Sequence, residues 1–434
     1  AFAGGIDGEW ILGGGWDHER WGGELPARDW LDPHTGARPA LLTRSDLHLA
    51  VANSAALARA GIDDSTPDPE GGQILRDAEG RPTGVLTDNA IRLVEDLVPE
   101  PSDAELDAAL ARACAHALRV GITQLHDKGT LPPSWRDLEV LERAEARGEV
   151  PLRVQVATPV EEWAALAERV ATRGNGSTMV RWGTVKGFVD GSLGAGTAWF
   201  TDPYDDLPGE VGLAVTDLDA LGADIHAAWD AGIQPVIHAI GDAAVDWLVD
   251  VYEALGPSRE GTPPPRIEHA QHLRPGTAAR IGRTRAVASM QPVHLVDDAP
   301  WLTRRLGEDR ASRSYAIRSL VRSGVPIAFG SDWTVAPLDP RPGIRAAVDR
   351  RGRDGTPIGP AEAITLEEAL RAYTSGGADA GWFRGETGRL RPGARADFVV
   401  LDRNLFAGAP HEMMSEAGVV RTFVGGVERF AAEE

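Results

Sequence analysis

Cysteine is almost absent. The 434 residues hold one thiol, Cys114, so no intrachain disulfide can form, and a reducing, cytoplasmic setting is expected. Lysine is nearly as scarce: Lys128 and Lys186 are the only two among 44 basic residues, the rest being arginine. Arginine stays charged whereas lysine can release its proton, so both lysines are suspects for chemistry that a guanidinium cannot perform. Positive charge is in deficit as well, with 65 acidic residues and a formal net charge of −21. A sequence-independent grip on nucleic acid or anionic lipid needs a basic face, so neither is an expected partner. No run approaches the ~18 uninterrupted apolar residues of a membrane helix. The chain opens Ala1-Phe2-Ala3-Gly4, without methionine and without a basic-then-apolar leader. It reads as a processed chain or a piece of something longer.

What is present is ordinary globular composition, 42% hydrophobic and 25% charged. The length fits two or three small domains or one barrel with an appendage. Residues 1–100 are rich in glycine, proline and tryptophan. They contain turn clusters such as Gly13-Gly14-Gly15 and Pro67-Asp68-Pro69-Glu70-Gly71-Gly72, and we read them as an irregular covering subdomain with one helix near Asn53–Ala60. Ser102-Asp103-Ala104-Glu105 is a capping-box signature that opens a helix carrying Cys114, there a small buried hydrophobe.

Residues 101–385 then repeat one theme. Short apolar runs fall at Ile122–His126, Leu152–Ala157, Thr184–Val189, Pro235–Ala239, Arg266–Ala270, Ala286–Gln291 and Pro326–Gly330, with helical patterns between most of them. Strand followed by helix, with strands apolar throughout, is the signature of a parallel α/β sheet buried on both faces. Seven strands are one short of a closed (β/α)8 barrel, and no G-x-G-x-x-G follows a strand to favour a doubly wound sheet. The reading is a barrel without its first strand. Residues 386–434 change texture again, with a strand near Phe398–Leu401 and a hairpin around Gly425-Gly426, as part of a small β-sandwich.

Catalytic residues of a barrel sit at the carboxyl ends of its strands. There His238, His269 and Asp332 close segments of three strands, and Lys186 lies inside the Val185-to-Gly194 segment of a fourth. Imidazole and carboxylate are ligands that zinc accepts, and such residues can converge on one cation or a pair. His126 and His294 end two further strands and are candidates for touching substrate, as are Trp16, His48 and Asp190.

These motifs resemble the amidohydrolase superfamily, in the branch that includes the N-substituted formamide deformylases. The resemblance rests on Gly15-Trp16-Asp17, Asp46-Leu47-His48 with Asn53-Ser54 and Ala56-Leu57, and the Pro69-Glu70-Gly71-Gly72 turn. It continues through the Lys186-to-Gly194 segment, His238-Ala239-Ile240-Gly241-Asp242, Ile267-Glu268-His269-Ala270, Gly330-Ser331-Asp332 and the Gly393-to-Asp402 tail, nearly the whole chain. It implies a metal-bearing barrel plus a β-sandwich built from both chain ends, and a hydrolase that cleaves an amide- or formamide-type C–N bond in a small molecule. It further implies that Lys186, carboxylated, His238, His269 and Asp332 hold one or two divalent cations, zinc in the first instance. Asp332 is also implied as the base that takes a proton from water and returns it to the leaving nitrogen. The family's first strand ends in His-x-His, and no such pair occurs here. The reading therefore includes a missing N-terminal strand with its sandwich partners. The competing readings are a Schiff-base barrel lyase using Lys186 and a barrel that only binds or is inactive. The sequence leaves a homo-oligomer open.

Overall fold

The computed structural model describes residues 9–129, 134–257 and 259–433, apart from the side chain of His411. The chain forms two compact units, one made of Ala1–Glu100, Asp190–Tyr204 and Pro208–Asp217, the other of Pro101–Val189, Asp205–Leu207 and Leu218–Glu434.

The first unit is built on a five-stranded sheet of β1 (Ile11–Trp16), β2 (Ala40–Arg44), β3 (Leu49–Ala52), β4 (Gly72–Arg76) and β5 (Pro82–Asp88), in the order β1-β2-β3-β5-β4. β1 and β2 run parallel, and the other pairs antiparallel. This differs from the irregular segment expected for residues 1–100. The strands are only four to seven residues long and several are interrupted by glycine, so their period is too short to stand out from the turns around them. The expected helix is there, at Ser54–Arg59, with the Asn53 side chain accepting from the Ala56 amide as its cap, but Arg28–Thr35 and Arg92–Glu95 are helical too, against the one helix expected. Trp10, Leu41, Ala50, Leu57, Ile74 and Leu86 close the core of this unit.

The second unit carries seven strands, all parallel: β6 (Gln124–Asp127), β7 (Arg153–Pro159), β8 (Val180–Phe188), β9 (Gln234–Ala239), β10 (Arg266–His269), β11 (Val287–Met290) and β12 (Ile327–Phe329). They lie side by side in chain order, and each matches one apolar run of the sequence. Residues of β7, β9, β10 and β11 are buried along their whole length, as a sheet covered on both faces requires. The Ser102–Glu105 capping box opens the helix Asp103–Arg119. Cys114 is buried on it, and burial pushes its thiol up to about 11, far from a reactive thiolate. The tail forms a three-stranded antiparallel sheet of β13 (Phe398–Leu401), β14 (Val419–Val424) and β15 (Val427–Ala431). Gly425 and Gly426 turn the β14–β15 hairpin with φ of 61° and 78°, the left-handed pair that a type I′ turn demands.

Candidate metal centre

Parallel pairing sets which residues reach the carboxyl end of the sheet together. The β9–β10 register puts Glu268 beside His238 and His269 beside Ala239, while the β8–β9 register puts Phe188 beside His238. Past the ladder the backbone turns sharply. His269 and Asp332 both adopt left-handed φ, 75° and 57°, a conformation that costs ~1 kcal/mol or more in residues with a Cβ and that clusters where side chains must be aimed. His294 comes from the next strand's end, at the start of the helix His294–Ser312.

The ligand atoms of His269, His294 and Asp332 lie within 4.8 Å of one another. The two imidazoles are near-parallel, with ring centres 6.4 Å apart, and the His238 ring meets His269 edge-on at 4.4 Å. Burial drives the His269 imidazole down to about 4, with the His294 and Lys186 charges adding and Asp332 opposing, so it is neutral near pH 7. Neutral imidazole is the form that binds metals. Its Nδ1 is buried and makes no hydrogen bond. A buried polar atom without a partner costs ~1–3 kcal/mol, and a cation held with His294 and Asp332 would satisfy it. His294 Nε2 lies 3.3 Å from the Ser331 carbonyl, a contact that orients the ring. The donor set of two imidazoles and a carboxylate fits a divalent cation such as zinc.

Lys186 is buried on β8. Its Nζ donates to the Gly187 carbonyl at 3.0 Å and stands 3.2 Å from the centre of the Phe188 ring, whose other neighbour is His238 at 5.2 Å. Lys186 and His238 thus flank the His269–His294–Asp332 group. His126 is engaged elsewhere: Arg266 Nη1 donates to its Nδ1 at 2.7 Å, and the Gln124 amide lies 2.9 Å from Nε2. Burial, with Arg266 and Lys128 adding, holds His126 well below the ordinary histidine range.

The remaining sequence candidates belong to the first unit. His48 Nδ1 pairs with Asp88 Oδ1 at 2.6 Å. Burial opposes protonation of the ring, but the Asp88 hydrogen bond and charge, with Asp46 and Asp190, overcome it and raise the imidazole above its usual value. Asp190 accepts from the Trp199 amide at 2.8 Å. Trp16 donates from Nε1 to the Leu42 carbonyl at 2.8 Å, and its ring packs between His18 and Trp21.

The sequence marks His294 as a substrate contact, although the rule that singles out His269 and Asp332, a polar side chain just past a strand end, also selects it. Glu268 enters the sequence reading only as part of the Ile267–Ala270 motif, with no role of its own. A charged residue inside the buried run Arg266-Ile267-Glu268-His269 was the available signal.

The geometry now has relatives to stand beside. The chain belongs to the amidohydrolase family. The family model matches residues 3–430. The chain is 40% identical to Protein LONG AFTER FAR-RED 3 of Arabidopsis thaliana over 98% of its own length and 74% of that protein's. It is 30% identical to the N-substituted formamide deformylase of Arthrobacter pascens, over 93% and 76% of the two chains. Among solved structures, an uncharacterized metal-dependent hydrolase from Pyrococcus horikoshii OT3 superposes with a TM-score of 0.71 at 27% identity, covering 93% of this chain and 78% of that one. The second unit's parallel half-barrel is accordingly the α/β fold of a metal-dependent hydrolase.

Proposed function

We propose that this protein is a metal-dependent hydrolase that cleaves an amide- or formamide-type C–N bond in a small molecule. The observation that carries the reading is the buried, unbonded Nδ1 of His269 beside His294 and Asp332. Membership of the amidohydrolase family and likeness to an N-substituted formamide deformylase support the bond type. His269, His294 and Asp332 would hold a divalent cation, zinc in our reading. In the same reading Lys186, if carboxylated, and His238 would hold a second one. Held there, a cation would supply Lewis-acid chemistry and make the attacking water more acidic.

The chain's own part is proton handling and orientation. Asp332 takes the proton from the attacking water and delivers it to the leaving nitrogen, which otherwise departs as a poor anion. The Ser331 carbonyl orients the His294 ring, and burial keeps His269 unprotonated. His126, bound by Arg266 and Gln124, has no direct step in this scheme. Trp16, His48 and Asp190, in the first unit, are given no step in this scheme.

The test is metal-stripped protein assayed against a panel of N-substituted formamides and simple amides, before and after adding Zn2+, in wild type and Asp332→Asn. Added zinc is expected to restore turnover, and Asp332→Asn is expected to lower it ~10²–10⁴-fold with the fold intact. Turnover that survives both chelation and Asp332→Asn sinks the reading.

A further inference from the structure

Tyr315, Gln271 and Asp298 close a ring of hydrogen bonds inside the second unit. The Tyr315 hydroxyl donates to Asp298 Oδ2 at 2.5 Å, and Gln271 Nε2 donates both to that oxygen, at 3.0 Å, and to the tyrosine oxygen. Gln271 and Tyr315 are buried and Asp298 is half-buried. Their places in the chain give the ring its meaning. Gln271 stands two residues after His269, past the left-handed turn at His269 and Ala270, with φ of 75° and 45°. Asp298 stands four residues after His294 in the helix His294–Ser312, so the two share one face, a turn apart. The ring therefore ties the segment that aims one imidazole to the helix face that carries the other. Tyr315 is itself firmly anchored. Its amide donates to the Gln271 carbonyl at 2.6 Å, and the buried Arg350 guanidinium donates to the carbonyls of Ser314, Tyr315 and Ile358 at 2.9, 2.9 and 3.0 Å. The amides of Ala270 and His272 donate in turn to the Ala239 and Ile240 carbonyls at the end of β9, each at 3.1 Å. A left-handed residue with a Cβ persists only where its surroundings over-determine it, and these bonds do so.

We infer that Tyr315, Asp298 and Gln271 are positioning residues that set the spacing between His269 and His294, and through it the affinity of that pair, with Asp332, for a divalent cation. The inference rests on the proposed metal centre and adds to it the side chains that hold its two imidazoles in register. The three act through the ligands and are not ligands themselves. Partners that orient a metal's ligands matter because a loose ligand must give up its freedom when the ion arrives, and losing such a partner typically weakens binding ~10–100-fold. Both bonds to Asp298 end on Oδ2, so the ring needs one well-placed acceptor oxygen there rather than a negative charge. An asparagine can offer that oxygen and an alanine cannot.

The test reads cation binding, not turnover. Metal-free full chain is titrated with Co2+, whose visible absorption reports the number and geometry of its ligands, and the band that disappears in His294→Ala identifies this site. Tyr315→Phe, which removes a single oxygen, is expected to weaken Co2+ binding ~10-fold and to alter the band, and Asp298→Ala to weaken it up to ~100-fold. Asp298→Asn should recover most of that loss. Gln155→Leu, in a polar layer toward the amino ends of the strands, is expected to lose stability in urea yet bind Co2+ as wild type does. Wild type that takes up no Co2+ sinks the metal centre and this inference with it. Wild type that binds, while Tyr315→Phe and Asp298→Ala match it in affinity and spectrum, sinks the inference alone. So does Asp298→Asn if it binds no better than Asp298→Ala, since charge would then be decisive. Gln155→Leu weakening the binding as much as Tyr315→Phe would also overturn it, by making general destabilisation the cause.

Discussion

The same seven parallel strands carry polar side chains toward both of their ends, and the two ends treat them in opposite ways. Toward the amino ends every polar group of a small layer is answered by another. Gln155 donates to Thr184 and Gln234 at 2.8 and 3.1 Å and accepts from the Trp382 amide at 2.7 Å. Gln234 donates to the carbonyls of Pro264 and Ala380, each at 2.7 Å. Trp382 Nε1 closes the set on Thr184 at 3.1 Å. At the carboxyl ends His269 Nδ1 and Lys128 Nζ are buried with no hydrogen bond. Satisfied polar layers fix a fold, whereas unsatisfied ones store a cost that a ligand can relieve. The two ends differ in depth as well: Gln155, Thr184 and Gln234 are buried, whereas His294 is half-buried and Asp332 exposed, so openness and missing partners together mark the carboxyl end.

The largest expected effect bears on which side chains are ligands at the unsaturated end. His294→Ala and His269→Ala should each strip the cation from purified, dialysed protein, with affinity falling at least ~100-fold. His238→Ala should do so less, because His238 packs on His269 and lies outside the group whose donor atoms share one 4.8 Å neighbourhood. Metal content by inductively coupled plasma mass spectrometry reads this directly. If His238→Ala loses the cation and His294→Ala keeps it, the ligand set read from the strand ends alone is the better one.

The complementary test strikes the saturated end. Gln155→Leu leaves Thr184, Gln234 and the Trp382 amide short of partners, and a buried group left unsatisfied costs ~1–3 kcal/mol. Urea unfolding should register that loss while metal content stays at the wild-type value. A variant that keeps its stability but loses metal would erase the contrast between the two ends.

How far this was legible beforehand differs by region for physical reasons. Buried parallel strands read as apolar runs, and β6 to β12 were all visible that way, as were the capping box at Ser102 and the Gly425-Gly426 turn. Polar residues at or near their tips marked Lys186, His238, His269 and Asp332 as a set. The five-stranded sheet of the first unit was not visible, because four- to seven-residue strands broken by glycine carry little periodic signal. The grouping of His294 with His269 and Asp332 depends on left-handed φ at two of those residues, and no residue period encodes a single backbone rotation. The fate of His126 was hidden too, since its partner Arg266 lies 140 residues further along the chain.

The smallest expected effect sharpens the contrast through pH. Lys128 titrates near 7 in the folded chain and near ~10.4 when unfolded. Below about 7 it is protonated in both states, and the fold bears the full cost of a buried ammonium. Above ~10.4 it is neutral in both and the cost is gone. Between these limits the unfolded chain binds more protons, so this group makes stability rise with pH. Lys128→Met removes the titration, so its stability advantage over wild type should be greatest at pH 6 and shrink by pH 9. The slope is at most ~1.4 kcal/mol per unit and is reduced further because the side chain retains some exposure. Gln155→Leu, measured over the same range, should lie below wild type by a constant amount, since no proton is taken up or released in the layer it disrupts. Parallel curves for both variants would mean that Lys128 has an ordinary lysine's proton affinity and that the two ends of the sheet do not differ in this respect.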